Sequence, residues 1–233
     1  MKKTIRILRQ KGPGEQPYYE DHPFESAAEN ATVATALMQI ATQTDLVWEH
    51  SCLQKKCGAC AMVIDRRPRL ACDTPLAACP GDVVVVEPLK KFPVIRDLLV
   101  DRTILAENLQ EMQVYAQEQT KENGKTEHSI LLCEETVYEA SRCLQCGLCL
   151  EICPNWYPDG IFAGMSAMAP AAREMARDNI GEIAETYRKR IYEGCGKSLA
   201  CRDVCPAGLD MDRLLSRNSK AIRNKRKNGG KKK

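Results

Sequence analysis

Apolar and polar residues alternate from Thr4 to Gln10, with Ile5 and Ile7 on one side, and this period of two predicts an opening β-strand. Pro13 and Gly14 mark a turn, after which Tyr18–Ser26 returns as a second strand. The period then lengthens. Val33, Leu37 and Ile40 share one face of a helix predicted over Thr32–Ala41, with Asn30 as its cap. Short strands are expected around Ala61–Asp65 and Arg69–Cys72, and the β-branched run Asp82–Glu87 reads as the strand that closes the sheet.

Beyond Asp97 the pattern turns helical. Leu98, Leu99, Ile104, Leu105, Leu109 and Met112 predict one linking helix within Asp97–Lys121, followed by a polar loop over Thr120–Ser129. Further helices are expected near Glu135–Ser141, Phe162–Arg177, Ile180–Tyr192 and Leu209–Lys220, with Pro170 kinking or splitting the second. The predicted class is α+β. A β-grasp domain occupies residues 1–97, a connecting helix and loop 98–132, a helical domain 133–218, and a basic, disordered tail 219–233.

Two modest domains suit a length of 233 residues. With 44% apolar and 5% aromatic residues, each core is expected to be small, so bound metal would contribute to folding. The net charge of +3 conceals an asymmetry: residues 217–233 carry nine basic and no acidic side chains, leaving 25 basic against 31 acidic in residues 1–216. The expectation is an acidic body with a basic tail able to touch anionic headgroups. Met1–Leu8 is charged and strand-like rather than a signal peptide, and no apolar stretch approaches the ~18–20 residues that span a bilayer. The chain is therefore expected to be soluble and cytosolic by itself, with any membrane association coming through partners or its surface.

Chemistry is concentrated in the cysteines. Eleven of the thirteen fall into three groups. Cys52, Cys57, Cys60 and Cys72 read C-x4-C-x2-C with a fourth cysteine beyond a short strand, which is the plant-type 2Fe–2S spacing. Zinc is the competing reading, but zinc sites usually pair short C-x2-C hooks. Cys143, Cys146, Cys149 and Cys153, followed by Pro154, give the bacterial ferredoxin run C-x2-C-x2-C-x3-C-P, in which the fourth cysteine ligates the other cluster. On that pattern Cys143, Cys146 and Cys149 hold a 4Fe–4S cluster completed by Cys205, which precedes Pro206. Cys153 joins Cys195 and Cys201 on another cluster, where Ser198 stands in place of a fourth thiolate. Three thiolates favour 3Fe–4S, with the Ser198 oxygen as an alternative iron ligand. Cys79 and Cys133 are left over as small buried hydrophobes. His22, His50 and His128 share no constellation, so no catalytic residue is expected on this chain.

The run Ser51–Cys60, the segment Pro68–Cys72, Val86-Glu87-Pro88-Leu89, Phe92–Asp97 and Cys205–Leu209 together resemble the iron–sulfur subunit of succinate dehydrogenase and fumarate reductase. The resemblance implies a β-grasp domain joined to a helical ferredoxin domain. It also implies electron relay from 2Fe–2S through 4Fe–4S to 3Fe–4S, between a flavoprotein subunit carrying FAD and membrane anchor subunits that handle quinone, some with haem. Family members often place a histidine after the first ligand of the third cluster, where this chain has Gly196. They also often place a tryptophan where this chain has Pro158, leaving Pro154 and Trp156 as the quinone-proximal candidates. The direction of catalysis, the quinone and the anchor type stay open. Two other readings compete: an iron–sulfur subunit serving a different flavin-dependent dehydrogenase or reductase, and a zinc-stabilised nucleic-acid binder using the basic tail. Sparse aromatics and the acidic body argue against the latter, and no nucleic-acid partner is expected.

Overall fold

A computed structural model describes residues 1–114, 134–175 and 180–229. The chain divides into two compact units, Met1–Arg102 with Leu144–Ile152, and Thr103–Cys143 with Cys153–Lys233.

The first unit is a five-stranded mixed sheet. Strands β1 (Lys2–Arg9) and β2 (Tyr18–Glu25) form an antiparallel hairpin, and helix α1 (Val33–Gln43) follows. Strands β3 (Ala61–Ile64) and β4 (Arg67–Leu70) make a second hairpin, and β5 (Val83–Glu87) lies parallel to β1 and antiparallel to β3. The order β2-β1-β5-β3-β4 therefore centres on β1, β5 and β3, whose inward residues Ile5, Ile7, Val84, Val86 and Ile64 are buried. Val33, Leu37 and Ile40 of α1 are buried too, so the helix presents the face its sequence predicted. A short ribbon of β6 (Val94–Arg96) and β7 (Leu99–Val100) completes the unit.

Several details differ from the sequence reading. Thr32, not Asn30, caps α1: its hydroxyl accepts from the Thr35 N–H while the Thr35 side chain accepts from the Thr32 N–H, a reciprocal box. Asp65 and Arg66 both adopt left-handed backbone (φ 48° and 64°), making a tight two-residue turn. That turn starts β4 at Arg67 and leaves Cys72 in the 3-10 turn Ala71–Asp73 beyond the strand. The linking helix expected within Asp97–Lys121 is shorter: Asp97 is left-handed (φ 49°), Leu99–Val100 pairs as a strand, and α2 covers only Thr103–Glu111.

The second unit is helical. It contains α2, α3 (Glu134–Ser141), then α5 (Met165–Met175) and α6 (Ile180–Tyr187), the short α4 (Leu148–Glu151) belonging to the first unit. A π-helical turn, Arg188–Tyr192, extends α6, and α7 (Ala200–Asp203) and α8 (Met211–Gly229) follow. Helix α5 runs unbroken through Pro170, so the expected split does not occur.

The largest correction concerns the end of the chain. Residues 219–229, expected to be a disordered tail, continue α8 as helix. The reason is a buried stripe at helical spacing: Met211, Leu214, Leu215, Asn218 and Ser219 all lie inward, and α8 packs on α5, α6 and α7. Ser219 also donates its hydroxyl to the Leu215 carbonyl at 2.7 Å. Truncation after Arg217 is therefore expected to cost about 2 kcal/mol and lower the melting temperature measurably by circular dichroism, as loss of buried helical contacts does. An unchanged melting curve would mean that residues 218–233 contribute nothing to the core.

Candidate metal centres

The first cysteine group lies within the first unit, with Cys52, Cys57 and Cys60 on the loop between Trp48 and Ala61 and Cys72 in the turn Ala71–Asp73. Leu53, Lys55 and Gly58 adopt left-handed backbone (φ 52°, 60° and 76°), and these reversals turn successive N–H groups toward sulfur. Gln54 and Lys56 each donate an N–H to Cys52 Sγ at 3.3 Å, and Lys55 donates to Cys72 Sγ at 3.3 Å. Those amides hold the Cys52 thiol down to about 7. Burial instead pushes Cys60 up to about 12, with the neighbouring Cys72 thiol adding to the rise. The Ala71 N–H donates to the Cys60 carbonyl at 3.0 Å and ties the 3-10 turn carrying Cys72 to the loop. Four thiols, three of the nearby amides aimed at sulfur, fit thiolate-bound iron, because amide donors stabilise the charge on cluster sulfur.

One residue of this site had no sequence signature. Arg102 reaches back to the loop and donates to the carbonyls of Ala59 (2.9 Å), Ala61 (3.3 Å) and Gly58 (3.4 Å), while pairing with Glu49 at 3.4 Å. It fixes the outer carbonyls so that the inner amides keep their aim.

The residues of the second group divide between the two units. In the first unit, Cys146 and Cys149 are buried on the segment Leu144–Ile152, where Gln145 (φ 52°) and Gly147 (φ 84°) are left-handed. A side-chain carbon on Gly58 would stand 2.7 Å from Cys146 Cβ, so the first cysteine loop lies directly against the second. A Cβ on Gly147 would stand 3.0 Å from the Phe92 ring, and the Lys91 N–H donates to Glu151 Oε2 at 3.0 Å. In the second unit, Arg142 donates to the Ala207 carbonyl at 2.6 Å and the Asp210 N–H donates to Glu139 Oε1 at 2.9 Å. These bonds bring together the chain at Cys143 and the chain just past Cys205, about sixty residues apart in sequence.

The third group converges within the second unit. Cys153, Cys195, Cys201 and Ser198 line one cavity, closed by Phe162, Met165, Met211 and Leu215. Burial, followed by the Cys153 and Cys195 thiols, pushes Cys201 up to about 11, as expected where sulfurs crowd a dry space. Lys197 and Leu199 flank Ser198 with left-handed backbone (φ 56° and 59°). At Gly196 an added Cβ would stand 2.9 Å from Asn155 Oδ1, so the Asn155 amide fills the space of a side chain there. Of the two quinone-proximal candidates, Pro154 is exposed, whereas Trp156 is 1% exposed and belongs to the core.

The remaining groups are structural where described. Cys79 is buried, directs its thiol to the Pro75 carbonyl at 3.7 Å, and is raised by burial. His50 stacks on Trp48 with ring centroids 4.4 Å apart, and His22 lies 3.5 Å from Glu20. Cys133 and His128 lie outside the described residues.

Known proteins carry the same architecture. Residues 4–107 match a 2Fe-2S iron-sulfur cluster binding domain, and residues 139–209 match a 4Fe-4S dicluster domain. Over 227 residues the chain is 32% identical to the succinate dehydrogenase iron-sulfur subunit of Bacillus subtilis, covering 90% of this chain and 88% of that one. The chain belongs to the succinate dehydrogenase and fumarate reductase iron–sulfur subunit family. Within the same family, the fumarate reductase iron-sulfur subunit of Wolinella succinogenes is 28% identical over 91% of this chain and 94% of that one. An uncharacterized iron-sulfur protein of Methanocaldococcus jannaschii is 33% identical over 89% of this chain, which spans 41% of that longer protein. The fold matches a chain of the Mycobacterium smegmatis Sdh1 complex, with a TM-score of 0.76, 24% identity, and 96% and 97% of the two chains covered. Like its relatives, this family member is an electron-transfer subunit with 2Fe–2S and 4Fe–4S cluster domains. Among the described residues, no helix is long and apolar enough to cross a membrane.

Proposed function

We propose that this subunit passes electrons between an FAD-bearing flavoprotein and membrane quinone, through 2Fe–2S, 4Fe–4S and 3Fe–4S clusters. It does so as a peripheral member of a complex docked by its anchor subunits to the cytoplasmic face of the membrane. The clusters supply one-electron redox chemistry when bound. Cys52, Cys57, Cys60 and Cys72 hold the first cluster, with Gln54, Lys55 and Lys56 offering amides to sulfur and Arg102 bracing the loop. Cys143, Cys146, Cys149 and Cys205 hold the second, a crossing supported by the Arg142–Ala207 bond beside two of them. Cys153, Cys195 and Cys201 hold the third. Gly58, lying on Cys146, keeps the first and second sites close, which shortens the electron's path.

The observation that carries the 3Fe–4S assignment is the cavity in which Ser198 meets three thiols and no fourth. A corner iron there would lack a thiolate, which these clusters prefer over a neutral hydroxyl. Oxidised protein is expected to show a near-isotropic S = 1/2 resonance that vanishes on reduction, and Ser198→Cys to remove it by converting the site toward 4Fe–4S. Full iron loading without that resonance in the unsubstituted protein would overturn the assignment. A second reading keeps the same relay but has it serve another flavin-dependent dehydrogenase or reductase. Mass spectrometry of the subunits that co-purify with the native complex separates the two.

A further inference from the structure

The inward face of α8 carries polar side chains where a core would hold apolar ones. Asn218 is 0% exposed, and neither its Nδ2 nor its Oδ1 has a hydrogen-bond partner. The Tyr187 hydroxyl, on a side chain also 0% exposed, lies near the Asn218 and Ser219 side chains without forming a well-aligned hydrogen bond to either. Ser219, beside them, commits its hydroxyl to the Leu215 carbonyl. Unpaired polar atoms in a dry interior cost folding free energy, and phenylalanine and leucine would fill the same volume without that cost. Packing alone therefore gives no reason for a tyrosine and an asparagine here.

Their position does. Leu215, one helical turn before Asn218 and Ser219, lines the cavity of Cys153, Cys195 and Cys201. Tyr187 stands one turn before Ile191, whose carbonyl accepts the Cys195 N–H at 3.1 Å. Burial above all, with the Cys195 thiol adding to it, holds the Tyr187 hydroxyl in its neutral, proton-bearing form. An O–H and an amide, held only by weak contacts with each other and with Ser219, are dipoles able to reorient in a low-dielectric interior beside a centre whose charge changes.

We infer that Tyr187 and Asn218 are positioning residues that set the reduction potential of the cluster held by Cys153, Cys195 and Cys201. The inference rests on the assignment of those three cysteines made above. Adding an electron makes the cluster more negative, and the two dipoles respond by turning their positive ends toward it. The reduced state is stabilised, so the potential is higher than the thiolates and burial would set by themselves. Screening by water, which would blunt such an effect at a surface, is excluded where both side chains are fully buried.

The test is an EPR-monitored redox titration of the complete, cluster-loaded protein, with Tyr187→Phe and Asn218→Leu as variants. Both keep the bulk of the side chain and remove the dipole. Each is expected to move the midpoint of the third-cluster resonance to lower potential, leave the 2Fe–2S midpoint unmoved, and melt no lower than the unsubstituted protein. Either variant alone, if folded, suffices. An unsubstituted protein without the third-cluster resonance overturns the ligand assignment. A resonance present at an unshifted midpoint overturns the role of Tyr187 and Asn218 while leaving that assignment standing. A lower melting temperature at an unshifted midpoint also overturns it, by making the pair structural.

Discussion

Asp97→Ala is expected to destabilise the first unit by about 3–5 kcal/mol, the usual cost of stranding a buried charge. Asp97 is 0% exposed and accepts from Arg9 Nε at 2.9 Å, from the Val47 N–H at 3.0 Å and from the Gln10 N–H at 3.2 Å. The Arg9 side chain is 3% exposed and spreads its other nitrogens to Glu20 at 2.5 Å and Asp45 at 2.7 Å. One carboxylate thus joins the end of β1, the chain after α1 and the β6–β7 ribbon. Removing it leaves a guanidinium in the core with half its donors unmatched, and two backbone amides without an acceptor. Urea denaturation of the cluster-loaded protein, followed by the visible absorbance of the 2Fe–2S centre, is expected to show a strongly lowered midpoint. Arg9→Met with Asp97→Leu should recover only the part due to the guanidinium, since the Val47 and Gln10 N–H groups still lack their acceptor. A loss under 1 kcal/mol for Asp97→Ala would mean that water reaches Arg9 and that the network is a surface one.

This network shows what the sequence could and could not disclose. The alternation in Lys2–Arg9 and the run Val83–Glu87 were legible because a strand repeats every two residues and its apolar side faces one core. Nothing in that alternation marks Arg9 as buried, because it follows the apolar phase of Ile5 and Ile7 with a charged side chain. Its partners come from positions 20, 45 and 97, and long-range pairing leaves no local trace. Helices α4 and α7 were missed for another reason: four residues are too few to display a period. Helix α8 was ended at Lys220 because the basic run beyond it, Arg223 to Lys227, has no apolar period and reads as a solvated tail.

The two cluster domains were the most legible feature, because cluster geometry constrains cysteine spacing along the chain. What surrounds them was not. Arg102 braces the first loop from a distance of some forty residues, and Asn155 fills the space beside Gly196 through a fold that brings two loops together. Gly58 had no more than a local signature, a glycine directly after a cysteine, whereas the structure shows that its near neighbour is Cys146.

Gly58→Val is therefore expected to damage two centres at once. The new Cβ would stand 2.7 Å from Cys146 Cβ and 3.1 Å from the Leu144 carbonyl oxygen, closer than real carbon contacts allow. The residue also sits at φ 76°, a backbone that costs a β-branched side chain more than ~1 kcal/mol by itself. Neither strain has an easy outlet, since Arg102 fixes the loop's carbonyls on one side and Cys146 is buried on the other. The combined cost is expected to exceed about 3 kcal/mol, at the upper end for single substitutions. Gly14→Val is the control, because Gly14 has a similar φ of 77° but nothing within 4 Å of an added Cβ. It should cost only the backbone strain and leave both EPR signals at full intensity. For Gly58→Val, quantitation is expected to show loss of both the 2Fe–2S and the 4Fe–4S signals relative to total protein. Loss of the first signal with the second intact would show that Cys146 gives way to the added side chain without releasing its iron. Equal effects at Gly14 and Gly58 would reduce the matter to backbone strain and remove the close approach as its cause.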